Sequence, residues 1–139
     1  MKAAAASLIV LALLIGVIPQ FTDCQSQGKA IQLPNGKTLP MKCHWTARAE
    51  IAVAVPLLLS GILLISCRHR ESRRNAALMT IVSGLLGILL PTVLIGVCAK
   101  PDMPCYALMK PTLVLAGSLV VALGAGCFIR AVRQRDANP

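Results

Sequence analysis

The chain has 139 residues, 56% of them hydrophobic and only 14% charged, with a formal net charge of +9. A mean hydropathy of +0.73 lies well above that of an average soluble domain and excludes an ordinary water-soluble core. The basic residues cluster beside apolar runs without aromatic interleaving, the arrangement that membrane orientation produces, so no nucleic-acid partner is expected.

Four apolar runs, about 3–21, 45–67, 76–98 and 111–129, predict a single all-α membrane domain of four transmembrane helices. The first, behind Lys2, fits either a secretory signal peptide or a retained helix. The stretch Gln20-Phe21-Thr22-Asp23-Cys24 lacks the small residues of an Ala-x-Ala cleavage site, and Asp23 stands where a lipoprotein site needs a small residue. At about 1.5 Å per residue the run nearly matches a ~30 Å hydrocarbon core, which favours a retained helix.

The first connection, 22–44, carries Leu33-Pro34-Asn35-Gly36-Lys37-Thr38-Leu39-Pro40, an Asn-Gly turn between proline-marked breaks that allows a small hairpin. A basic connection, 68–75, joins the second and third helices, and loop 99–110 leads to the fourth, with Pro111 in its first turn. Lys2, Arg68 to Arg74 and the tail 130–139 fall on one side of four crossings, which predicts both termini inside. Phe21, Trp45, Tyr106 and Phe128 each fall at or just outside a predicted helix end, where aromatic side chains meet headgroups. Met41-Lys42-Cys43-His44 and Met103-Pro104-Cys105-Tyr106 each open a long run, a weak repeat consistent with two pseudo-equivalent helical hairpins. Close packing is expected along Ser118, Ala122 and Gly126, and along Ser83, Gly87 and Pro91.

Under this topology Cys24, Cys43, Cys98 and Cys105 lie outside, with Cys67 and Cys127 inside. The simplest disulfide pairing closes each outer loop, Cys24 with Cys43 and Cys98 with Cys105; the two loop-to-loop pairings stay open. Two other chemistries compete. A membrane thiol-disulfide oxidoreductase would use the same cysteines, but the chain has no Cys-x-x-Cys, whose close spacing helps set thiol reactivity. A copper-binding membrane protein would draw on Met41, Cys43, His44, Met103, Cys105 and Met109, donors that select Cu(I) but are scattered over two loops. The sequence fixes no metal and implies no cofactor.

The densest stretch is Met41-Lys42-Cys43-His44-Trp45-Thr46-Ala47-Arg48-Ala49-Glu50 at the entrance to the second helix. Cys43, His44, Trp45, Arg48 and Glu50 are its functional candidates. Arg48 is expected to snorkel outward, and Glu50 to face the bundle and meet a backbone end, Lys42, Lys110 or a partner protein. No complete catalytic constellation is present and no catalytic residue is assigned.

At these residues the chain resembles an uncharacterised bacterial family of small four-helix membrane proteins, a domain of unknown function. Its hallmarks are a Met-x-Cys-His-Trp-Thr-x-x-Ala-Glu stretch opening the second helix and a Met-Pro-Cys opening the fourth, here Met103-Pro104-Cys105. The resemblance implies a multi-pass protein of the bacterial cytoplasmic membrane. It further implies a non-enzymatic accessory subunit of an exporter-type ABC system, with lipid and an ABC-type permease as partners.

Overall fold

A computed structural model describes residues 2–66 and 69–136, with the side chains of 134–136 left out. Cys67 and Arg68, expected at the end of the second run and in the basic connection, lie outside the described residues. Four long helices carry the fold: α1 (Lys2–Thr22), α2 (Lys42–Ser66), α3 (Arg70–Leu89) and α4 (Lys110–Asp136). A π-helical turn, Leu90–Leu94, extends α3, and another, Cys105–Met109, leads into α4. All four helices are long and apolar enough to cross a membrane. This is the all-α four-helix architecture that the hydropathy pattern predicts.

Their outward faces are as apolar as their inward ones. In α1, Ala5, Leu8, Ala12, Ile15 and Pro19 recur every three or four residues and are buried, while Val10, Leu13, Leu14 and Val17 point outward. A helix apolar all round fits hydrocarbon as its solvent, so the chain is a multi-pass membrane protein.

Consecutive helices run antiparallel, as the contacting pairs show. A Cβ placed on Gly16 would lie 3.1 Å from Ala54 Cβ, and one on Gly61 would lie 3.0 Å from Ile9 Cγ1. Ser60 Oγ of α2 lies 3.0 Å from Thr80 Oγ1 of α3, both buried. The tightest crossing joins α3 to α4. A Cβ on Gly117 would stand 2.6 Å from Ile88 Cγ1 and 2.9 Å from the Gly84 carbonyl oxygen, a separation only glycine permits.

The α3 stripe Ser83, Gly87, Pro91 is buried, as its spacing suggests. The α4 stripe is not: Ser118, Ala122 and Gly126 are exposed, and the packing face is Leu113, Gly117, Val120 and Gly124. Two small-residue series share α4, and the one that meets α3 is set by the glycines at 84 and 117, not by spacing.

Several boundaries differ from the hydropathy runs. The helix α2 starts at Lys42 and α3 at Arg70, so part of the basic connection is helical. The third span stops at Leu94, short of the run's end at Cys98. Pro91 has no N–H to donate one turn back, the ladder widens, and Ile95 and Gly96 N–H both donate to the Leu90 carbonyl at 3.1 and 3.0 Å. Gly96, at φ +78°, then turns the backbone out of the helix. In the first connection the expected hairpin forms from β1 (Ile31–Gln32) and β2 (Thr38–Leu39), paired Ile31 to Leu39 and Gln32 to Thr38, with Gly36 at φ +74° in the turn.

Candidate metal centre

Antiparallel packing collects four chain segments at one end of the bundle: the residues after α1, the start of α2, the irregular segment after Gly96 and the turn leading into α4. Each contributes a cysteine. The Sγ atoms of Cys24, Cys43, Cys98 and Cys105 all lie within 4.8 Å of one another. The shortest separations are 3.3 Å from Cys24 to Cys105, 3.7 Å from Cys43 to Cys98 and 3.9 Å from Cys24 to Cys98. All four are free thiols; Cys24, Cys43 and Cys105 are fully buried, Cys98 partly. The loop-by-loop pairs expected from spacing therefore stand in one cluster, whose closest approaches run from loop to loop.

Two thioethers adjoin the thiols: Met41 Sδ at 3.9 Å from Cys98 Sγ and Met103 Sδ at 3.9 Å from Cys24 Sγ. Each Met-x-Cys segment thus lays its methionine against a cysteine of another segment, so the repeat read in the sequence has a spatial counterpart. Of the other donors in the copper-type set, Met109 is a fully buried core residue and His44 turns toward a carboxylate. Cys24 and Cys98 take their place.

The geometry suits a tetrahedral ion. With metal–sulfur bonds of about 2.3 Å, the edge of a tetrahedron of sulfurs is about 3.8 Å; the 3.7 and 3.9 Å separations match it and the 3.3 Å separation is shorter. The polar surroundings are built alongside. Asp23 precedes Cys24 and His44 follows Cys43, and their side chains meet, His44 Nδ1 to Asp23 Oδ2 at 2.9 Å. Ser26 N–H donates to Asp23 Oδ1 at 2.7 Å. Burial works against the Asp23 charge, but the His44 and Ser26 hydrogen bonds outweigh it and hold the carboxyl below its ordinary range. Burial drives the Cys24 thiol far above its ordinary value, and the neighbouring Cys43 and Cys105 thiols add to the shift. Without an ion, Cys24 is a protonated thiol at neutral pH.

The Asp23 shift predicts an acid-sensitive step in the metal-free protein. A carboxyl whose folded value is depressed contributes stability above its unfolded value of about 3.8 and loses it as pH falls through the lower folded value. Detergent-solubilised wild type is expected to lose about 1 kcal/mol over that acid window relative to Asp23→Asn, read as the difference in thermal unfolding.

Thr46 and Gln20 brace the site from below. Thr46 Oγ1 donates to the Gly96 carbonyl at 2.7 Å, tying α2 to the turn before Cys98, and Gln20 Nε2 donates to the Ala47 carbonyl at 2.7 Å, tying α1 to α2. Of the other motif residues, Trp45 lies outward at 59% exposure, its indole edge-on to His44, and Arg48 is exposed. Glu50 faces the bundle, fully buried, but it meets neither lysine: its two oxygens have no hydrogen-bond partner among the described residues. Asp23 was not singled out in the sequence; its adjacency to Cys24, mirrored by that of His44 to Cys43, was the available signal.

Four apolar spans closed at one end by a mostly buried cluster of four thiols define a small multi-pass membrane protein. The chain belongs to the DUF4418 family, a domain of unknown function whose model matches residues 6–129. No curated protein and no solved structure matches it.

Proposed function

We propose that this protein binds one soft metal ion, copper(I) in first place, in the four-thiol site at the end of its transmembrane bundle. The observation that carries this reading is the convergence of Cys24, Cys43, Cys98 and Cys105, from four separate segments, to Sγ separations within 4.8 Å. The flanking Met41 and Met103 sulfurs favour Cu(I) over Zn(II), which takes four thiolates as readily but gains little from thioethers. Positive charge at the other end, where Arg70 and Arg74 of α3 adjoin the C-terminal part of α4, supports an orientation with the thiols on the outer face and both termini inside. In that orientation the site would receive or deliver an ion outside the membrane. An accessory role beside an exporter-type ABC system of a bacterial cytoplasmic membrane rests on the family resemblance, and the outward stripe Ser118, Ala122, Gly126 is a face on which a partner helix would pack.

A second reading draws on the same distances. Cys24 with Cys105 and Cys43 with Cys98 are the closest pairs, so as electron-donating dithiols they would form two loop-to-loop disulfides, each passing two electrons and two protons to an external disulfide, which is reduced to two thiols. One experiment separates the two. The full chain, purified in detergent with its thiols reduced, is titrated with Cu(I) and separately with Zn(II) against a chelator of known affinity. Uptake of one ion per chain, with metal–sulfur distances of about 2.3 Å by X-ray absorption, supports the metal site. No uptake of either ion, together with two disulfides in protein isolated under thiol-trapping conditions, overturns it; a mixed disulfide with a partner trapped by Cys43→Ala then assigns those disulfides to redox chemistry, and its absence to a structural role.

A further inference from the structure

We propose that Glu50 is a proton-binding site within the membrane span, served by a polar seam between α2 and α3. It lies seven residues beyond Cys43, about 10 Å down the same helix, and is independent of whether the thiols hold a metal. Glu50 is fully buried, and neither of its oxygens has a hydrogen-bond partner among the described residues. A bare carboxylate is costly in such a place, and one proton removes the charge: –COO⁻ plus H⁺ gives –COOH, with no other reactant.

No neighbouring helix offers a competing counter-ion. Apart from Lys2 at its start, α1 carries no Asp, Glu, Lys, Arg or His; α3 and its π turn carry none after Arg74; α4 carries none between Lys110 and Arg130. The only other titratable side chain on those stretches is Cys127, at the far end of α4; Cys98 lies beyond the π turn, in the thiol cluster. On α2 itself Lys42 and Arg48 are exposed and His44 faces Asp23.

The surroundings leave room and a route. Glu50 is opposite Gly87, where a Cβ would come 3.7 Å from Oε2, so the glycine leaves space beside the carboxyl. Below it the α2–α3 interface continues with buried Ser83, then with the Ser60 and Thr80 hydroxyls, 3.0 Å apart. Ser60 in turn lines an open cavity of about 360 Å³ toward the arginine-bearing end, where Ser72 and Asn75 are its other polar groups among mostly apolar side chains such as Leu59 and Leu63. Polar groups buried in one interhelical seam, with an unpaired acid among them, are the components of a proton relay, with water filling the gaps.

The test uses the full chain in phosphatidylcholine vesicles and infrared spectroscopy. With only five acidic residues in the protein, single carboxyls are resolvable. Wild type should show a carboxylic-acid C=O band at neutral pH that is absent in Glu50→Gln and moved in Glu50→Asp. A band that persists unchanged in both variants overturns the proposal, because Glu50 is then ionised or bound to another cation. If Glu50→Gln fails to fold, Glu50→Asp alone decides through the band position. Ser60→Ala combined with Thr80→Val should slow exchange of that band in D2O about tenfold, and an unchanged rate overturns the relay through the seam. Copper uptake measured on the same samples reports on the thiol site separately.

Discussion

On the proposed metal-site reading, replacing Cys24 by serine is expected to lower the affinity of the reduced protein for copper(I) by about a hundredfold or more, and Cys127→Ser to leave it unchanged. The size follows from the place of each sulfur. Cys24 approaches both Cys105, at 3.3 Å, and Cys98, at 3.9 Å, so its loss removes a sulfur that makes two of the closest approaches in the cluster. Removing groups that only orient metal ligands already costs about 10–100-fold in affinity, and removing a ligand costs more. Cys127, on the distal part of α4, is buried near Ala4 and shares nothing with the cluster except its chemistry. Proton competition sets the pH dependence. The Cys24 thiol is held protonated by burial and by its thiol neighbours, so an entering ion must expel a proton. Affinity therefore rises with pH across the neutral range and falls in acid. A chelator-competition titration at several pH values checks both the loss and the slope; equal affinities in wild type and Cys24→Ser would remove the cluster from consideration as the binding site.

Gly117→Leu is expected to have a large structural effect on the bundle. Its Cβ would meet the Gly84 carbonyl oxygen at 2.9 Å, backbone that cannot swing aside, and Ile88 at 2.6 Å. The α3–α4 crossing would have to open. Overpacking of this kind costs about 1–3 kcal/mol in ordinary cores, and the backbone contact places this site at the upper end. Because Cys98 follows α3 and Cys105 leads into α4, a wider crossing also draws two of the four thiols apart. Gly126→Leu, with nothing within 4 Å of its Cβ, is the matched control. Thermal unfolding in detergent, read beside copper affinity, should show both losses for Gly117→Leu and neither for Gly126→Leu.

The four spans were legible because hydrocarbon imposes one requirement on every residue of a spanning helix, and the apolar runs record it. The same was true of the hairpin, where Asn35-Gly36 specifies a turn by backbone chemistry alone. The thiol cluster was not legible. Cys24 and Cys98 are 74 residues apart and meet only because two helical hairpins dock side by side, and no local spacing reports that docking. Spacing favoured disulfides within each loop for the same reason, since near neighbours in sequence were the only proximity available. The ending of the third span at Leu94 was hidden because Ile95, Val97 and Cys98 are as apolar as the helix; a proline and a glycine end it, not hydropathy. Glu50 was marked as an intramembrane acid by sequence, but its lack of a counter-charge depends on which faces of α1, α3 and α4 surround it.

The division of the four cysteines between hairpins has a mechanical meaning. The α1–α2 half supplies Cys24 and Cys43, the α3–α4 half supplies Cys98 and Cys105, and each half sends a methionine against a thiol: Met41 meets the other half's Cys98, and Met103 meets Cys24 of the first. Neither half holds more than two of the four thiols. An ion bound by all four is therefore a clasp between two arms, and its binding energy adds directly to the energy that keeps the arms closed. Occupancy and closure become one variable, so a neighbour in the bilayer that pried the hairpins apart would open the clasp and let the ion go.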